Sequence, residues 1–341
     1  TVAMALENGV NYFDMAAGDS APFAPYGRAT SGCRKNVFFQ IHFGAEYHTG
    51  KYGWTLNLEE IKRSVDWQLN QLRTDYIDFG FLHCIDEEED LEKAIGQGTI
   101  SYLLDLKKKG VVRHIGMSSH TPGVVQKVLD ENILDMLMFS INPAYDYRHG
   151  EYAIGSVDER MDLYKRCEAE GVGISVMKAF GAGQLLDAST SPFGRALTEY
   201  QCIQYALDKP GVVTVLPGVR NREDLKRLLG FFSATPEEKD YSILGTFAPQ
   251  DARGICVYCN HCQPCPAGLD VGLINKYYDL AQAGDALAKD HYANLTKKAS
   301  DCIGCGHCNK RCPFSVDQVK RMREIAEYFS DSHRRKEPHP F

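Results

Sequence analysis

The chain has 341 residues, 44% of them hydrophobic and 24% charged, with a formal net charge of −7. That composition excludes disorder, collagen and coiled coil, and no run of about 18 apolar residues is present to span a bilayer. The mild acidity gives no electrostatic reason to expect nucleic acid, and the basic run 333–336 is too short to change that.

The length leaves room for two domains, or for one α/β barrel of about 250 residues and a remainder. A short helical pattern opens the chain at Thr1 to Asn8. Apolar, β-branched runs then follow at Val10 to Ala16, Val37 to Phe43, Ile77 to His83, His114 to Ser119, Met136 to Asn142, Gly173 to Ala179 and Val212 to Gly218. Amphipathic stretches of helical length separate them, at Leu58 to Leu72, Leu91 to Lys109, Val157 to Glu170 and Asn221 to Leu229. Asn57 and Asn221, each before an acidic turn, read as helix N-caps. Near-continuous hydrophobic strands, each followed by a helix, belong to a parallel sheet covered on its faces.

Seven strands are one short of a closed (β/α)8 TIM barrel, so a first strand is expected to precede Thr1. The alternative is an open doubly wound sheet, but no G-x-G-x-x-G follows any of the strands. After Leu229 the pattern changes to a connector with a short helix around Pro236 to Leu244. Helices are expected at Val271 to Ala283, Ala286 to Ala299 and Gln318 to Phe329, with Gly284 as a break. The expected organisation is a barrel over residues 1–245, a cysteine module over 246–330 and a polar tail over 331–341.

Twelve cysteines are present, and eight of them lie between Cys256 and Cys312. No signal peptide opens the chain and the first 255 residues are sparse in cysteine, so metal ligation in a cytoplasmic protein is a better reading than a secreted disulfide framework. The two groups are Cys256-x2-Cys259-x2-Cys262-x2-Cys265-Pro266 and Cys302-x2-Cys305-x2-Cys308-x3-Cys312-Pro313. Zinc knuckles use paired C-x2-C. Four cysteines at this tight spacing ending in Cys-Pro, twice over, favour two [4Fe–4S] clusters, with the fourth cysteine of each run serving the other cluster. A dicluster module of ferredoxin-like, largely helical character implies electron transfer, with an electron-transfer partner protein. Cys167 and Cys202 fall in helical patterns and read as small buried hydrophobes, and Cys33 has no visible partner. Cys84 follows His83 at a strand end.

In a barrel the reacting groups project from the C-terminal ends of the strands. Here those residues are Asp14, His42, His83, Ser118, Ser119, Asn142, Lys178 and Pro217-Gly218. A lysine ending a buried strand is unusual, since an uncompensated ammonium is costly there.

The segments Gly9-Val10-Asn11-Tyr12-Phe13-Asp14-Met15-Ala16, Thr74-Asp75-Tyr76-Ile77-Asp78 leading to Leu82-His83, Val112-Arg113-His114-Ile115-Gly116-Met117-Ser118-Ser119-His120 and Leu216-Pro217-Gly218 resemble the aldo-keto reductase superfamily. With the cysteine module, the whole resembles its iron–sulfur branch. The resemblance implies an eight-stranded barrel that moves a hydride between NADPH and a carbonyl, using an Asp, Tyr, Lys, His tetrad. Asp14 and His83 match the Asp and the His. At the family's Lys position stands His42, and at its Tyr position Asp19, so a phenol would have to come from Tyr26, Tyr47 or Tyr52. The resemblance also assigns Ser118, Ser119, Asn142 and Lys178 to the nicotinamide side, and Gly218, Arg220, Asn221 and Asp224 to the adenosine phosphate of NADP(H).

Loss of the Lys removes a permanent charge beside the acid, whereas His42, with an ordinary pKa near 6.5, could itself carry a proton. Two imidazoles and two carboxylates at one mouth would alternatively hold a divalent metal. The leading expectation is an NADP(H)-linked reduction of a carbonyl or conjugated small molecule, with His42 and His83 in acid/base roles, Asp14 and Asp19 beside them, and clusters relaying electrons. Hydride and one-electron chemistry need a converter such as a flavin, for which no fingerprint is seen. The second expectation is an electron-transfer subunit whose barrel serves only as a substrate-binding or docking scaffold.

Overall fold

The computed structural model describes residues 1–147, 150, 152–246 and 253–334. The chain gathers into two compact units. One comprises Thr1–Ser140, Val172–Lys178 and Leu216–Ser233, and the other comprises Ile141–Gly171, Ala179–Val215 and Ala234–Phe341.

All seven expected strands form: β1 (Tyr12–Asp14), β2 (Phe38–Phe43), β5 (Ile77–Leu82), β6 (Val112–Ser119), β7 (Met136–Ser140), β8 (Gly173–Met177) and β9 (Val212–Val215). Between β2 and β5 the structure adds an antiparallel pair that the sequence reading passed over as loop, β3 (Ala45–Glu46) and β4 (Gly53–Trp54). The first six strands lie in the first unit in the order β1-β2-β5-β6-β7-β8, with parallel partners throughout. Successive strands always add on the same side. A doubly wound sheet reverses at a switch point, so this α/β sheet is wound in the barrel manner instead.

The pairing is staggered, and the stagger places the site. Asp14 stands beside Gln40, and His42 beside Phe81. Alternate residues on a strand share a face, so Gln40 with His42, and Phe81 with His83, point the same way. Asp14, His42 and His83 therefore rise in succession along one face, as the shear of a barrel requires. Beneath them the same face is filled by Phe81, Met136 and Met138, packed with Tyr12, Phe79, Met177 and Leu216. Flexible methionines and aromatic rings fill most of that interior, and the Tyr12 hydroxyl is satisfied by the buried Gln40 side chain.

The helices follow their sequence signals. Asn57 caps Leu58–Leu72 by accepting from the amides of Glu59 and Glu60, and Asn221 caps Arg222–Leu229 in the same way. The expected single helix over 91–109 is instead two, Glu88–Gly96 and Thr99–Lys108. The break falls at Gly98, whose φ of +84° is left-handed and ends the run. Among the described residues no helix is long and apolar enough to cross a membrane.

In the second unit, helices Val271–Gln282, Ala286–Ala293, His307–Arg311 and Gln318–Arg334 surround a small core. The second of these stops six residues before the expected Ala299, because the chain turns at Asn294 into a short 3-10 segment at Ala299–Asp301. Leu269, Val271, Ile274, Leu280, Met322 and Ile325 are each at most 1% exposed there, and Cys262 and Cys308 belong to the same core. Residues 335–341 of the expected polar tail lie outside the described residues.

Candidate active site

Asp14, His42 and His83 meet in an unbroken line. The Asp14 carboxylate lies 2.7 Å from His42 Nε2, and the two Nδ1 atoms of His42 and His83 are 3.0 Å apart. The line continues to a phenol, with Tyr52 Oη 2.9 Å from His83 Nε2. His42 is 1% exposed and His83 9%, while Tyr52 is 43% exposed, so the line runs from a buried base to a group that faces solvent. Ala16 N donates to the same Asp14 oxygen and helps to hold the carboxylate. Gln40 Nε2 lies 3.1 Å from His42 Nε2, and Gln40 Oε1 accepts from Tyr12 at 2.5 Å.

Only one set of protons satisfies this line with both imidazoles neutral. His42 Nε2–H donates to Asp14, His83 Nδ1–H donates to His42 Nδ1, and Tyr52 O–H donates to His83 Nε2. Burial, and then the neighbouring His42, hold His83 well below the usual imidazole value, which favours its neutral form. The Tyr52 phenol is pushed up by burial and by the Cys84 sulfur beside it, so it keeps its proton.

A stability consequence follows with a definite sign. In the unfolded chain His83 takes up a proton below its ordinary pKa of 6.5, whereas in the fold it resists until well below that. The unfolded state therefore binds more protons across that window, and stability falls as pH drops through it. Urea unfolding at pH 7 and pH 5 is expected to show this loss in the native protein and a smaller one in His83→Asn.

The β3–β4 pair is what delivers Tyr52. Gly44, with φ of +117°, turns the chain out of β2, and a hydrogen bond from Thr55 N to Gly44 O closes the excursion at 2.9 Å. Trp54 Nε1 donates to the His83 carbonyl at 3.2 Å, which pins the returning strand over the imidazole. Gly50, at φ +93°, sits at the turn between the two strands. The sequence signal was Gly50 flanked by Tyr47, Tyr52 and Trp54, a glycine turn between aromatic residues.

Asp19 does not join this line. It is exposed, and its carboxylate accepts from the Ala21 amide in its own loop. Tyr47 accepts from Ala17 N, and Tyr26 packs edge-on against Phe13, so neither supplies the phenol. Nor does the divalent-metal arrangement of His42, His83, Asp14 and Asp19 form, since the imidazoles bond each other rather than converge on a point.

A second polar chain lies alongside, joining Ser119 and Lys178, which the resemblance assigns to the cofactor, with Asp86 and His120, which the sequence reading left unassigned. Asp86 accepts from the His120 ring at 2.9 Å, the His120 amide at 2.6 Å and Ser119 Oγ at 3.1 Å. Burial works against the Asp86 charge, but these donors outweigh it and hold the carboxyl down at about 2. Lys178 Nζ donates to His120 Nε2 at 3.2 Å, which is how a lysine is accommodated at this strand end. Burial, and then Asp86, push the Cys84 thiol up to about 12. Cys84, Asp86 and His120 offer ligand atoms all within 4.8 Å of one another, but the Lys178 ammonium opposes a cation there. The readable signal was His83-x2-Asp86 directly after a strand.

The remaining cofactor candidates divide. Ser118 Oγ accepts from Cys84 N at 2.8 Å and Ser119 donates to Asp86, so both hydroxyls are engaged within the protein. Asn142, in the second unit, caps the short helix Pro143–Asp146 through Tyr145 N. Arg220 is exposed on 83% of its side chain and is bound by Asp224, which also pairs with Arg227. Asn221 caps the helix behind them and Gly218 precedes the turn. An exposed guanidinium at a capped helix start is a fitting partner for a phosphate.

The eight clustered cysteines sort into two interleaved sets. Cys265, Cys302, Cys305 and Cys308 line one small pocket that is partly open to solvent. Cys259 interacts electrostatically with Cys256 and Cys312, and Cys262 with all three. Burial pushes the thiols of Cys256 and Cys259 up, to about 11 and about 12. Among the described residues no three of the eight sulfurs all lie within 4.8 Å of one another. A tetrahedral zinc with bonds of about 2.3 Å would draw its sulfurs to about 3.8 Å.

Comparison with known proteins matches the profile of the Aldo/keto reductase family to residues 1–200. The "Uncharacterized oxidoreductase YqkF" of Bacillus subtilis (strain 168) is 27% identical over 248 residues, covering 65% of this chain and 78% of its own length. Among solved structures, aldo-keto reductase AKR11C1 from Bacillus halodurans in its holo form aligns with a TM-score of 0.54 at 24% identity, over 69% of this chain and 82% of that one. An aldo-keto reductase from Klebsiella pneumoniae in complex with NADPH aligns with a TM-score of 0.52 at 18% identity, over 72% and 84%. At these identities the two structures are alike in fold.

Proposed function

The chain belongs to the aldo/keto reductase family, since the profile covers more than half of it, and from that premise we propose that this oxidoreductase interconverts a carbonyl and an alcohol on a small molecule with NADP(H), using Tyr52 as the group that meets the substrate oxygen. The single observation that carries the reading is the hydrogen-bonded line Tyr52–His83–His42–Asp14.

The line can move one proton without moving a heavy atom far. In the oxidising direction a substrate hydroxyl gives its proton to Tyr52, whose own proton passes to His83 Nε2. His83 Nδ1–H then passes to His42 Nδ1, and His42 Nε2–H to Asp14. In the reducing direction the same transfers run backwards, and the carbonyl oxygen receives its proton from Tyr52. His42 in this line does by proton transfer what a lysine would do by fixed charge. The nicotinamide, when bound, supplies or accepts the hydride. Arg220 and the Asn221-capped helix start support binding of a 2′-phosphate, and the family relative that holds NADPH agrees with this. A phenol in contact with His83 favours a working site over a barrel kept only as a docking scaffold.

In the cysteine module, the proposal is two [4Fe–4S] clusters. One is held by Cys256, Cys259, Cys262 and Cys312, and the other by Cys265, Cys302, Cys305 and Cys308. The interleaving of the two sets and the two tight runs ending in Cys-Pro support cubes over zinc. Such clusters supply one-electron storage and transfer to a partner protein. In domain terms, residues 1–245 carry the hydride chemistry and 246–330 the electron transfer, in a cytoplasmic protein.

The test is made on protein purified anaerobically. NADPH and NADH are titrated by fluorescence, and a panel of carbonyls and alcohols is then followed in single turnovers. Absence of nicotinamide binding overturns the reading.

A further inference from the structure

The second unit buries a lysine. Lys209, just after the helix Glu199–Leu207, is 1% exposed, and its Nζ has no hydrogen-bond partner among the described residues. It rests 3.8 Å from the centroid of the Tyr205 ring. Burial pushes the Lys209 ammonium below its ordinary pKa, so keeping the cation there requires compensating negative charge nearby.

The carboxylates that act on Lys209 are already in use. Asp146 accepts from Arg160 at 2.8 Å and from Tyr164 and Tyr205 at 2.7 Å. Asp208 accepts from Tyr241 and Gln204, each at 2.7 Å. The other groups acting on Lys209 are Cys259 and Cys256, which carry negative charge as thiolates when they hold a cluster. The geometry agrees, because the small pocket that Lys209 lines is walled in part by Ile255 and Val257, the two chain neighbours of Cys256. Arg321 also acts on Cys256, but it is ion-paired with Asp279. Among the described residues, the wall of the cavity lined by Cys265, Cys302, Cys305 and Cys308 includes no lysine or arginine, and its one ionisable group besides the cysteines is the His307 ring.

A buried positive charge favours the reduced, more negative state of a nearby redox centre, and low dielectric magnifies the effect. We propose that Lys209 supplies a fixed charge that raises the reduction potential of the cluster held by Cys256, Cys259, Cys262 and Cys312. An electron shared with the cluster held by Cys265, Cys302, Cys305 and Cys308 then rests on the first. This inference depends on the two-cluster reading above.

The experiment is an anaerobic dithionite titration of the full chain followed by electron paramagnetic resonance. The first cluster's signal is identified by its loss in Cys262→Ala. In Lys209→Met, which replaces the cation with an apolar chain of similar length, the ratio of reduced to oxidised first cluster at a fixed potential is expected to fall about tenfold. For one electron that corresponds to about 59 mV. The second couple stays in place, and Lys209→Arg keeps the native potential. Iron and sulfide assays on every variant separate the two levels of the reading: native protein without them defeats the clusters themselves. With clusters intact, unmoved potentials in Lys209→Met, or equal shifts of both couples, overturn the role of Lys209. If Lys209→Met and Lys209→Gln shed the first cluster while Lys209→Arg keeps it, the lysine is structural and the inference also fails.

Discussion

Tyr52→Phe is expected to lower kcat/KM about 10³-fold, within the range that a positioned acid or base contributes, while leaving NADPH affinity unchanged. The substitution removes one oxygen and keeps the ring, and with it the edge contact to His83, whose centroid lies 5.8 Å away. The loss therefore reports the proton carried by the phenol rather than a collapse of the β3–β4 pair. Asp19→Asn, at the position where the family resemblance places its tyrosine, is expected to change turnover less than twofold, because that carboxylate serves its own loop. Steady-state kinetics on both variants, with NADPH titrated by fluorescence, make the comparison. If Asp19→Asn loses activity and Tyr52→Phe does not, the acid has been placed on the wrong side of the mouth.

Much of the strand framework was legible because continuous apolar runs between amphipathic helices admit few arrangements. The stagger that lines up Asp14, His42 and His83 then followed from ordinary parallel pairing. Tyr52 was named only as one of three phenols. Its selection depends on a two-residue strand pair after β2, too short to leave a periodic signature. The Asp86–His120–Lys178 chain was missed for a different reason: its members lie 34 and 58 residues apart, and only the sheet order brings them together. Lys209 likewise reads in sequence as an ordinary solvated helix end. Its burial is set by Tyr205 and by the segment around Cys256, which are remote from each other along the chain. In sequence the cysteine proposal rests on spacing alone, because ligands of one centre must be close in the chain or recur as a motif.

On the proposed two-cluster reading, Cys265→Ala is expected to remove one cluster and leave about four iron and four sulfide per chain, against about eight of each expected of the native protein. The cluster lost should be the distant one. Cys265 shares a cavity with Cys302, Cys305 and Cys308 although Cys262 is its nearer neighbour in sequence, so its spectrum should coincide with that of Cys305→Ala. By the same logic Cys312→Ala should coincide with Cys262→Ala, since Cys312 acts on Cys259 and Cys262. Two independent zinc knuckles would give the opposite pairing, each cysteine grouping with its own run, and would contain no sulfide. The crossed pattern also has a mechanical consequence. Each set draws its fourth ligand from the other run, and Cys262 and Cys308 sit in the one small core between them. Loss of a single crossing cysteine should therefore lower the unfolding midpoint of the module as well as its iron content, which thermal unfolding followed at the cluster absorbance would register in the same samples.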